Sequence, residues 1–485
     1  MTASSDLKLT VETLLAPVRD AAVQAAKLVK HLGVRLDAMS LDLARDAGAI
    51  VRNAQAFGES ARDQATTVVR ATPRVTRLAQ IAAALFARQR WLALSNAAKT
   101  GDARLTPDDH RDLARRTTAY AAELRGGIAK LGQLASCRPD LVGPIWAGEL
   151  ATLQDEVPAV DAAAIRARIV AELGKPIEEL FADFDDVPLA AASLAQVHAA
   201  TLLDGTRVVV KVQVPGIEDV IAADIAALRA IASSLGELPG IDLATLTTEL
   251  GRALATELDY VAEADALWKY VGPATVPHPI TAVSSTRVLT MGRIDGQRLT
   301  AWLTGASPDD RDRLLGELVS EVAAQILVRG QVHADPHPGN FLVTEGGKLA
   351  LLDFGCMLEL TAADRAAYAR LVLAIAGGNN SAAAAELAAL GFVADDPDQL
   401  VDLTASLIGA MKPGADVSTV DWQAAFADQI AQSKQLGGLV IPRSFVLLGR
   451  VLASVAGLLA TYKPRLELHA LIARSLAMAI AAPPR

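Results

Sequence analysis

At 485 residues the chain exceeds what one compact core holds, so two or three domains or lobes are expected. Apolar residues make up 52% and aromatics only 4%, with alanine prominent, which favours helix-rich packing by small side chains. The net charge of −9 argues against a nucleic-acid-binding surface, and two cysteines without metal-ligand spacing, Cys137 and Cys356, point to a reducing compartment.

Residues 1–105 read as a helical, alanine-rich extension with breaks near Gly58 and Pro73. Asp6 and Glu12 stand where a secretory signal would carry a basic start and an apolar run. Val11, Leu14, Leu15, Val18, Ala22, Ala25 and Val29 recur at helical spacing, with Lys27 and Lys30 beside them. That stripe suits packing against the rest of the protein better than a membrane surface. Lys99 to Leu105 reads as a linker. A second helical region, 106–175, opens on Thr106-Pro107-Asp108-Asp109, with Thr106 as N-cap and acids near the positive helix end.

From Leu189 onward the pattern becomes strand-like. Ala199 to Leu203, an Asp204-Gly205 turn and Thr206 to Val214 form a β-hairpin. A helix is predicted over Leu243 to Tyr270, with Leu250, Leu254, Leu258 and Val261 as its buried stripe, followed by a strand over Arg287 to Met291. Residues 176–297 thus make a small mixed α/β lobe, and 298–485 a larger, mainly helical one. The longest late apolar run, Ser444 to Thr461, contains Arg450, and Leu476 to Ala482 is short, so no membrane-spanning helix is expected.

The chemistry concentrates between Val332 and Gly355, in VHADPHPGN…LLDFG. Asp335 precedes Asn340 by five residues, Asp353 follows thirteen later, and two apolar runs, Phe341 to Val343 and Leu349 to Leu352, form a hairpin between them. Kinase-type phosphoryl transfer needs this set: one aspartate to position or deprotonate the attacking hydroxyl, and an asparagine and second aspartate for the Mg2+ ions bridging the ATP phosphates. Asp335 is therefore the catalytic candidate, Asn340 and Asp353 are the metal ligands, and MgATP is the cofactor. Lys211, in the strand Val208 to Val212, would be costly without a partner; in kinase folds that partner is ATP phosphate plus a helix glutamate. The preceding loop, Ala190-Ala191-Ala192-Ser193-Leu194-Ala195-Gln196-Val197-His198, replaces the glycine-rich phosphate loop with alanines.

Only five residues separate Gly355 from Thr361, which reads as the N-cap of a helix over Ala362 to Gly377, and no Ala-Pro-Glu triplet follows. There is no room for a peptide-docking segment, so a water, small-molecule or lipid nucleophile is favoured over a protein. His333 is expected to brace the catalytic loop by hydrogen bonding, and Cys356 to be a small buried residue; His337 is near enough to the site to matter, with a structural role an equal alternative.

These motifs resemble the UbiB/ADCK family of atypical kinases, which supports ubiquinone and other prenyl-lipid biology. The alanine-rich loop matches the family's AAASxxQVH pattern, with Ala195 in place of a glycine. Lys130-Leu131-Gly132-Gln133 matches its Lys-x-Gly-Gln helix, and Glu257-Leu258-Asp259 its Glu-x-Asp motif. The likeness runs from about Arg125 to Pro464. It implies an α+β, protein-kinase-like bilobal fold. In it Glu263 partners Lys211; Ala190, Ala191, Ala192, Ser193, Gln196 and Lys211 contact ATP; and Met291 lies in the hinge. Lys130, Gly132, Gln133, Glu257 and Asp259 form a lid that restrains phosphorylation of protein. Relatives commonly carry a glutamate at the position of Gly292, and membrane-bound members have an apolar C-terminal extension that this sequence does not show.

The expectation is an ATPase or a small-molecule or lipid phosphotransferase tied to prenyl-lipid or quinone metabolism. ATP, a lipid or quinone-like molecule and a membrane surface are the expected partners, without nucleic acid. The setting is cytoplasmic, with peripheral membrane attachment left open. Two alternatives stay open: a nucleotide-switched lipid-binding or assembly protein, and a small-molecule kinase of the aminoglycoside or choline type.

Overall fold

The computed structural model describes residues 65–102, 104–124, 126–136, 142–153, 159–225, 248, 251–252, 254–408 and 441–481. The expected amphipathic stripe from Val11 to Val29 lies outside them, as does Cys137. Contacts group the chain into two compact units, one holding 188–196 and 213–255 with the residues up to 165, the other 166–187, 197–212 and 256–485.

In the first unit, helix α1 (Ala65–Thr100) runs through Pro73, where a break was expected. Thr106 caps α2 (Pro107–Leu124) reciprocally: its Oγ1 accepts the Asp109 N–H, and the Asp109 carboxylate accepts the Thr106 N–H at 2.8 Å. Helix α2 buries Leu113, Ala114 and Ala121 and packs on α1, α3 (Gly126–Ser136) and α4 (Pro144–Leu150). Alanine at 114 and 121 lets these helices approach closely, which is how a chain poor in aromatics fills a core.

The second unit is α+β. After helices α5 (Ala162–Leu173) and α6 (Ile177–Leu180), strands β1 (Phe181–Ala191), β2 (Ala195–Leu202), β3 (Arg207–Gln213) and β4 (Val288–Gly292) form a sheet in sequential order. Gly205, at φ 86°, and the Asp204 carboxylate accepting the Thr206 N–H at 2.9 Å make the tight β2–β3 turn. Because β2 begins at Ala195, only residues 192–194 of the expected alanine loop lie outside strands. Along β3, Val208, Val210 and Val212 are buried on one face, and Lys211 takes the other, opposite Leu289 of β4.

The helix expected over Leu243 to Tyr270 is interrupted. Its described part is helical to Glu257, leaves helical geometry at Leu258 and Asp259, and restarts as α7 (Tyr260–Lys269). Asp259 is the N-cap, its carboxylate accepting the N–H groups of Val261 and Ala262 at 3.1 and 3.0 Å. Aspartate competes for backbone donors in this way, and the phase of the apolar stripe shifts with the break. Leu254 is buried, whereas Val261 is 56% exposed; α7 instead buries Tyr260, Glu263, Ala264 and Leu267.

Strand β5 (Gly296–Arg298) and helices α8 (Leu299–Gly305) and α9 (Pro308–Ala324) follow. Helix α9 continues into a π turn, Gln325–Arg329, that stops at Gly330, φ 76°. A side chain there would meet the Leu360 carbonyl at 2.6 Å, so glycine is required. Strand β6 (Gln331–His333) pairs antiparallel with β9 (Met357–Glu359), and β7 (Phe341–Thr344) with both β5 and β8 (Leu349–Leu351). Helices α10 (Ala362–Ala376), α11 (Asn380–Ala389), α12 (Pro397–Ile408), α13 (Arg443–Tyr462) and α14 (Leu468–Ala481) complete the unit. Among the described residues no helix is long and apolar enough to cross a membrane.

Candidate active site

Within the second unit, Lys211 reaches two carboxylates. Its Nζ lies 2.7 and 2.9 Å from the two oxygens of Glu263 and 3.2 Å from Asp353 Oδ2. Strand β3 supplies the lysine and the first turn of α7 the glutamate, aimed inward because the Asp259 cap sets the start of that helix. The Lys211 side chain is 13% exposed, Glu263 1% and Asp353 43%, so the aspartate is the member of the set that opens to solvent.

Burial alone would discharge Lys211, but Asp353 and Glu263 outweigh it and hold the ammonium well above its ordinary range. For Glu263 burial wins over the lysine contact, and Asp353 adds to it, so the carboxyl is pushed up to about 7. For Asp353 the balance is reversed. Burial raises it, but Lys211 and the Gly355 N–H, donated to Oδ1 at 2.9 Å, hold it down at about 2. A Cβ at Gly355 would lie 3.1 Å from Asp353 Oδ1 and 3.7 Å from Glu263 Oε2. Glycine there lets the backbone close on the aspartate.

The β7–β8 hairpin returns the chain as the spacing implied. The Leu352 N–H donates to the Asn340 carbonyl at 3.0 Å, one residue before Asp353. Asn340 Nδ2 donates to the Asp335 carbonyl at 2.9 Å, which ties the two ends of the loop together. His337 caps the turn Pro338–Asn340, its Nδ1 accepting the Gly339 N–H at 3.1 Å.

His333 braces the loop differently from the expectation. Its ring lies edge-on to Phe354 at 5.4 Å and tilted against Phe341 at 6.1 Å, and neither ring nitrogen has a hydrogen-bond partner. The backbone carries the bond instead, the His333 N–H donating to Gln325 Oε1 at 2.9 Å. Burial lowers the imidazole below its ordinary range, which suits a neutral packing residue. Cys356 is half-buried, and its carbonyl accepts the Ala334 N–H at 2.9 Å.

Sequence reasoning missed a residue in direct contact with the catalytic candidate. Arg450 of α13 forms an ion pair with Asp335 Oδ1, and one turn later Ser454 Oγ donates to the Pro336 carbonyl at 2.7 Å. Helix α13 thus grips the loop by two side chains four residues apart. The signal was present: Arg450 is the single charged residue between Ser444 and Thr461, which the sequence shows only as an interruption of an apolar run.

The other expected site residues lie elsewhere. In the first unit, Ala190 and Ala192 are exposed and Ala191 half-buried, whereas Ser193 and Gln196 are buried. Gln196 Nε2 is 3.4 Å from the Val160 carbonyl, a packing contact of its own. Lys130, Gly132 and Gln133 sit on α3; Gln133 Nε2 lies 3.4 Å from the Leu153 carbonyl, and a Cβ at Gly132 would meet Leu153 Cδ1 at 2.4 Å. Glu257 and Asp259 fall in the second unit, where the Asp259 carboxylate is occupied by its cap. Met291 is buried on β4 opposite Val209.

No cluster of three His, Cys, Asp or Glu side chains that could hold a metal occurs among the described residues. Mg2+ of the nucleotide kind takes one or two protein oxygens and otherwise phosphate and water. An ionised, part-exposed Asp353 carboxylate and the Asn340 side-chain amide are donors of that oxygen type.

An α+β unit in which a strand lysine, a helix glutamate and an Asp-Phe-Gly aspartate meet next to an Asp-x-x-x-x-Asn loop defines a kinase-like protein. Residues 152–387, just under half of the chain, match the ABC1 atypical kinase-like domain. Over 290 residues, 56% of the chain and 41% of the relative, it is 37% identical to an uncharacterized chloroplastic aarF domain-containing protein kinase of Arabidopsis thaliana. It is 37% identical to the chloroplastic protein ACTIVITY OF BC1 COMPLEX KINASE 3 of the same plant, covering 56% of the chain and 40% of the relative. To a probable protein kinase UbiB of Xylella fastidiosa it is 36% identical, covering 60% and 55%. The chain spans about half the length of the curated relatives it matches. A Mycobacterium tuberculosis protein, Rv3197, solved with erythromycin, shares the fold with a TM-score of 0.52 at 23% identity, covering 74% of this chain and 94% of that one.

Proposed function

We propose that the chain binds MgATP at Lys211, Asn340 and Asp353 and transfers the terminal phosphoryl group to water or to a small or lipid hydroxyl. The observation that carries this is the bidentate Lys211–Glu263 pair with Asp353 3.2 Å from the same ammonium. Lysine held in this way is a fixed cation for nucleotide phosphate, and Asp353 stays ionised at any physiological pH. Asn340 and Asp353 would hold the metal, which would supply positive charge against the nucleotide phosphates. Asp335 positions the acceptor hydroxyl, and Arg450 fixes the orientation of its carboxylate.

Residues 106–175 are assigned the restraining role, with Lys130, Gly132, Gln133, Glu257 and Asp259 as the lid and Ala190 to Ser193, Gln196 and Met291 on the nucleotide. The passage from Gly355 to Thr361, only five intervening residues with Met357–Glu359 paired as β9 against β6, supports a non-protein acceptor. The kinase names of relatives support phosphoryl transfer; a quinone or prenyl-lipid context and a peripheral membrane setting are proposed on the motif resemblance alone. A second reading is favoured by one observation, the Arg450 ion pair on Asp335. A carboxylate so occupied suits a nucleotide-switched binding protein in which hydrolysis is incidental.

The test is to incubate the chain with γ-labelled ATP, Mg2+ and liposomes and to partition the label among inorganic phosphate, lipid and protein. Label in phosphate or lipid supports the proposal. Label chiefly in protein would overturn it, and nucleotide-dependent liposome binding without label transfer would favour the switch.

A further inference from the structure

Outside the groups assigned to catalysis, one buried acid reaches both catalytic segments. Glu321 of α9 is 3% exposed, and its Oε1 accepts Gln325 Nε2 at 2.8 Å, Tyr270 Oη at 3.0 Å and an ion pair from Arg329. Burial, with the Glu321 carboxylate behind it, holds the Tyr270 phenol protonated, well above its ordinary range, so the hydroxyl stays a donor. Oε2 accepts no hydrogen bond from the described residues. A buried carboxylate with one oxygen unserved is a costly way to fill a core, and an apolar side chain of similar size would pack without that cost. Packing alone therefore does not account for the acid.

The donors on Oε1 lead to different places. Tyr270 is the C-cap of α7, the helix that carries Glu263, and its ring stands edge-on to Phe354 at 5.6 Å, next to Asp353. Gln325 opens the π turn and has both ends of its side-chain amide engaged. Its Nε2 is on Glu321, and its Oε1 accepts the His333 N–H at 2.9 Å, two residues before Asp335. Arg329, at the end of the same turn, places its guanidinium 5.8 Å from the Tyr270 ring centroid and donates to the Glu321 carbonyl at 3.3 Å. Bonds to an ionised acceptor are about twice as strong as neutral ones, and one oxygen that receives three of them fixes its donors relative to each other.

We infer that Glu321 is a positioning residue for phosphoryl transfer, holding the Asp353 segment through Tyr270 and Phe354, and the Asp335 loop through Gln325 and His333, in one frame. The inference rests on the roles given above to Asp335 and Asp353. Loosening the frame misaligns Asp335 without removing any group assigned to the nucleotide, so kcat falls more than affinity.

The test compares the full chain with Glu321→Gln, Tyr270→Phe and the two combined. Glu321→Gln keeps the shape and removes the charge. Tyr270→Phe keeps the ring against Phe354 and removes only the hydroxyl, so it remains decisive if the first variant does not fold. Phosphate release against MgATP concentration gives kcat and KM, and amide hydrogen exchange is followed in 331–335 and 353–357, with β3 as internal reference. Each single variant is expected to lower kcat about fivefold with KM within about twofold, and to speed exchange about fivefold in both segments but not in β3. Because Tyr270 acts through the carboxylate, adding Tyr270→Phe to Glu321→Gln should lower kcat by less than about twofold more. Unchanged kcat in the single variants, or effects that multiply in the double variant, would overturn the inference. Exchange that rises equally in β3 would also overturn it, as a global loss of stability, and so would exchange confined to 353–357 in Tyr270→Phe. If the native chain releases no phosphate, the reading of the catalytic centre fails instead, and the exchange comparison alone decides whether Glu321 frames the two segments.

Discussion

Lys211 lies between two carboxylates whose protonation behaves oppositely, and this gives a pH signature. Glu263 sits at about 7 against an ordinary 4.5, so between these values the folded chain holds a proton that the unfolded chain has released. Its contribution to stability therefore falls as pH rises from 4.5 to 7. Asp353, at about 2 against 3.8, contributes stability present above 3.8 and lost as pH falls towards 2. For nucleotide binding, Glu263 must be ionised to hold Lys211 in place. MgATP affinity of the free protein is expected to rise through an inflection near pH 7, read by fluorescence titration from pH 5 to 9. Glu263→Gln should lose that inflection. Because it leaves a buried ammonium short of one charge, it should also cost roughly 3 kcal/mol of stability in denaturant melts. An inflection that persists in Glu263→Gln would assign it to another group. Arg450→Ala should leave nucleotide affinity within about twofold and lower turnover at least tenfold, an effect of loop positioning that a KM-against-kcat comparison separates.

At the level of elements, two local devices hold the site, and they differ in how legible they were. Thr361 and Asp364 cap α10 reciprocally and fix the end of the short passage after Gly355. Thr361→Ala should cost about 1 kcal/mol in thermal unfolding, without changing nucleotide affinity. That cap, the β2–β3 turn and the β7–β8 hairpin could be read from the sequence because each depends on neighbours a few residues apart. Asp259 shows where such reading fails. The periodicity on either side of it suggested one helix, but its carboxylate found two backbone donors, and no pattern of apolar residues records that competition. The π turn at Gln325 was equally hidden, since its purpose is a bond to His333, eight residues away. Gln325→Met should lower turnover several-fold and cost about 1–2 kcal/mol by leaving the His333 N–H unpaired. Unchanged turnover would show that the loop is held by its packing alone.

Across the whole molecule, the charge centres were legible and the long-range partners were not. Lys211, Asp335, Asn340 and Asp353 announce themselves by residue type and spacing. Arg450 comes to Asp335 from 115 residues downstream, and Tyr270 meets Glu321 across 51. Such pairs have no local signature beyond a charge or a ring in an apolar run. In the first unit, the Leu153 contact at Gly132 sets how closely α3 can pack. On the proposed restraining role, Gly132→Val should displace that helix and raise the label incorporated into protein from γ-labelled ATP; unchanged incorporation would remove α3 from the lid. The central claim is phosphoryl transfer from MgATP dependent on Asp353. The most direct test is phosphate release from MgATP by the full chain, with and without anionic liposomes, beside Asp353→Asn. Release by the native chain that falls at least a hundredfold in Asp353→Asn is the expected result. Mg2+-dependent release that survives in Asp353→Asn would contradict it.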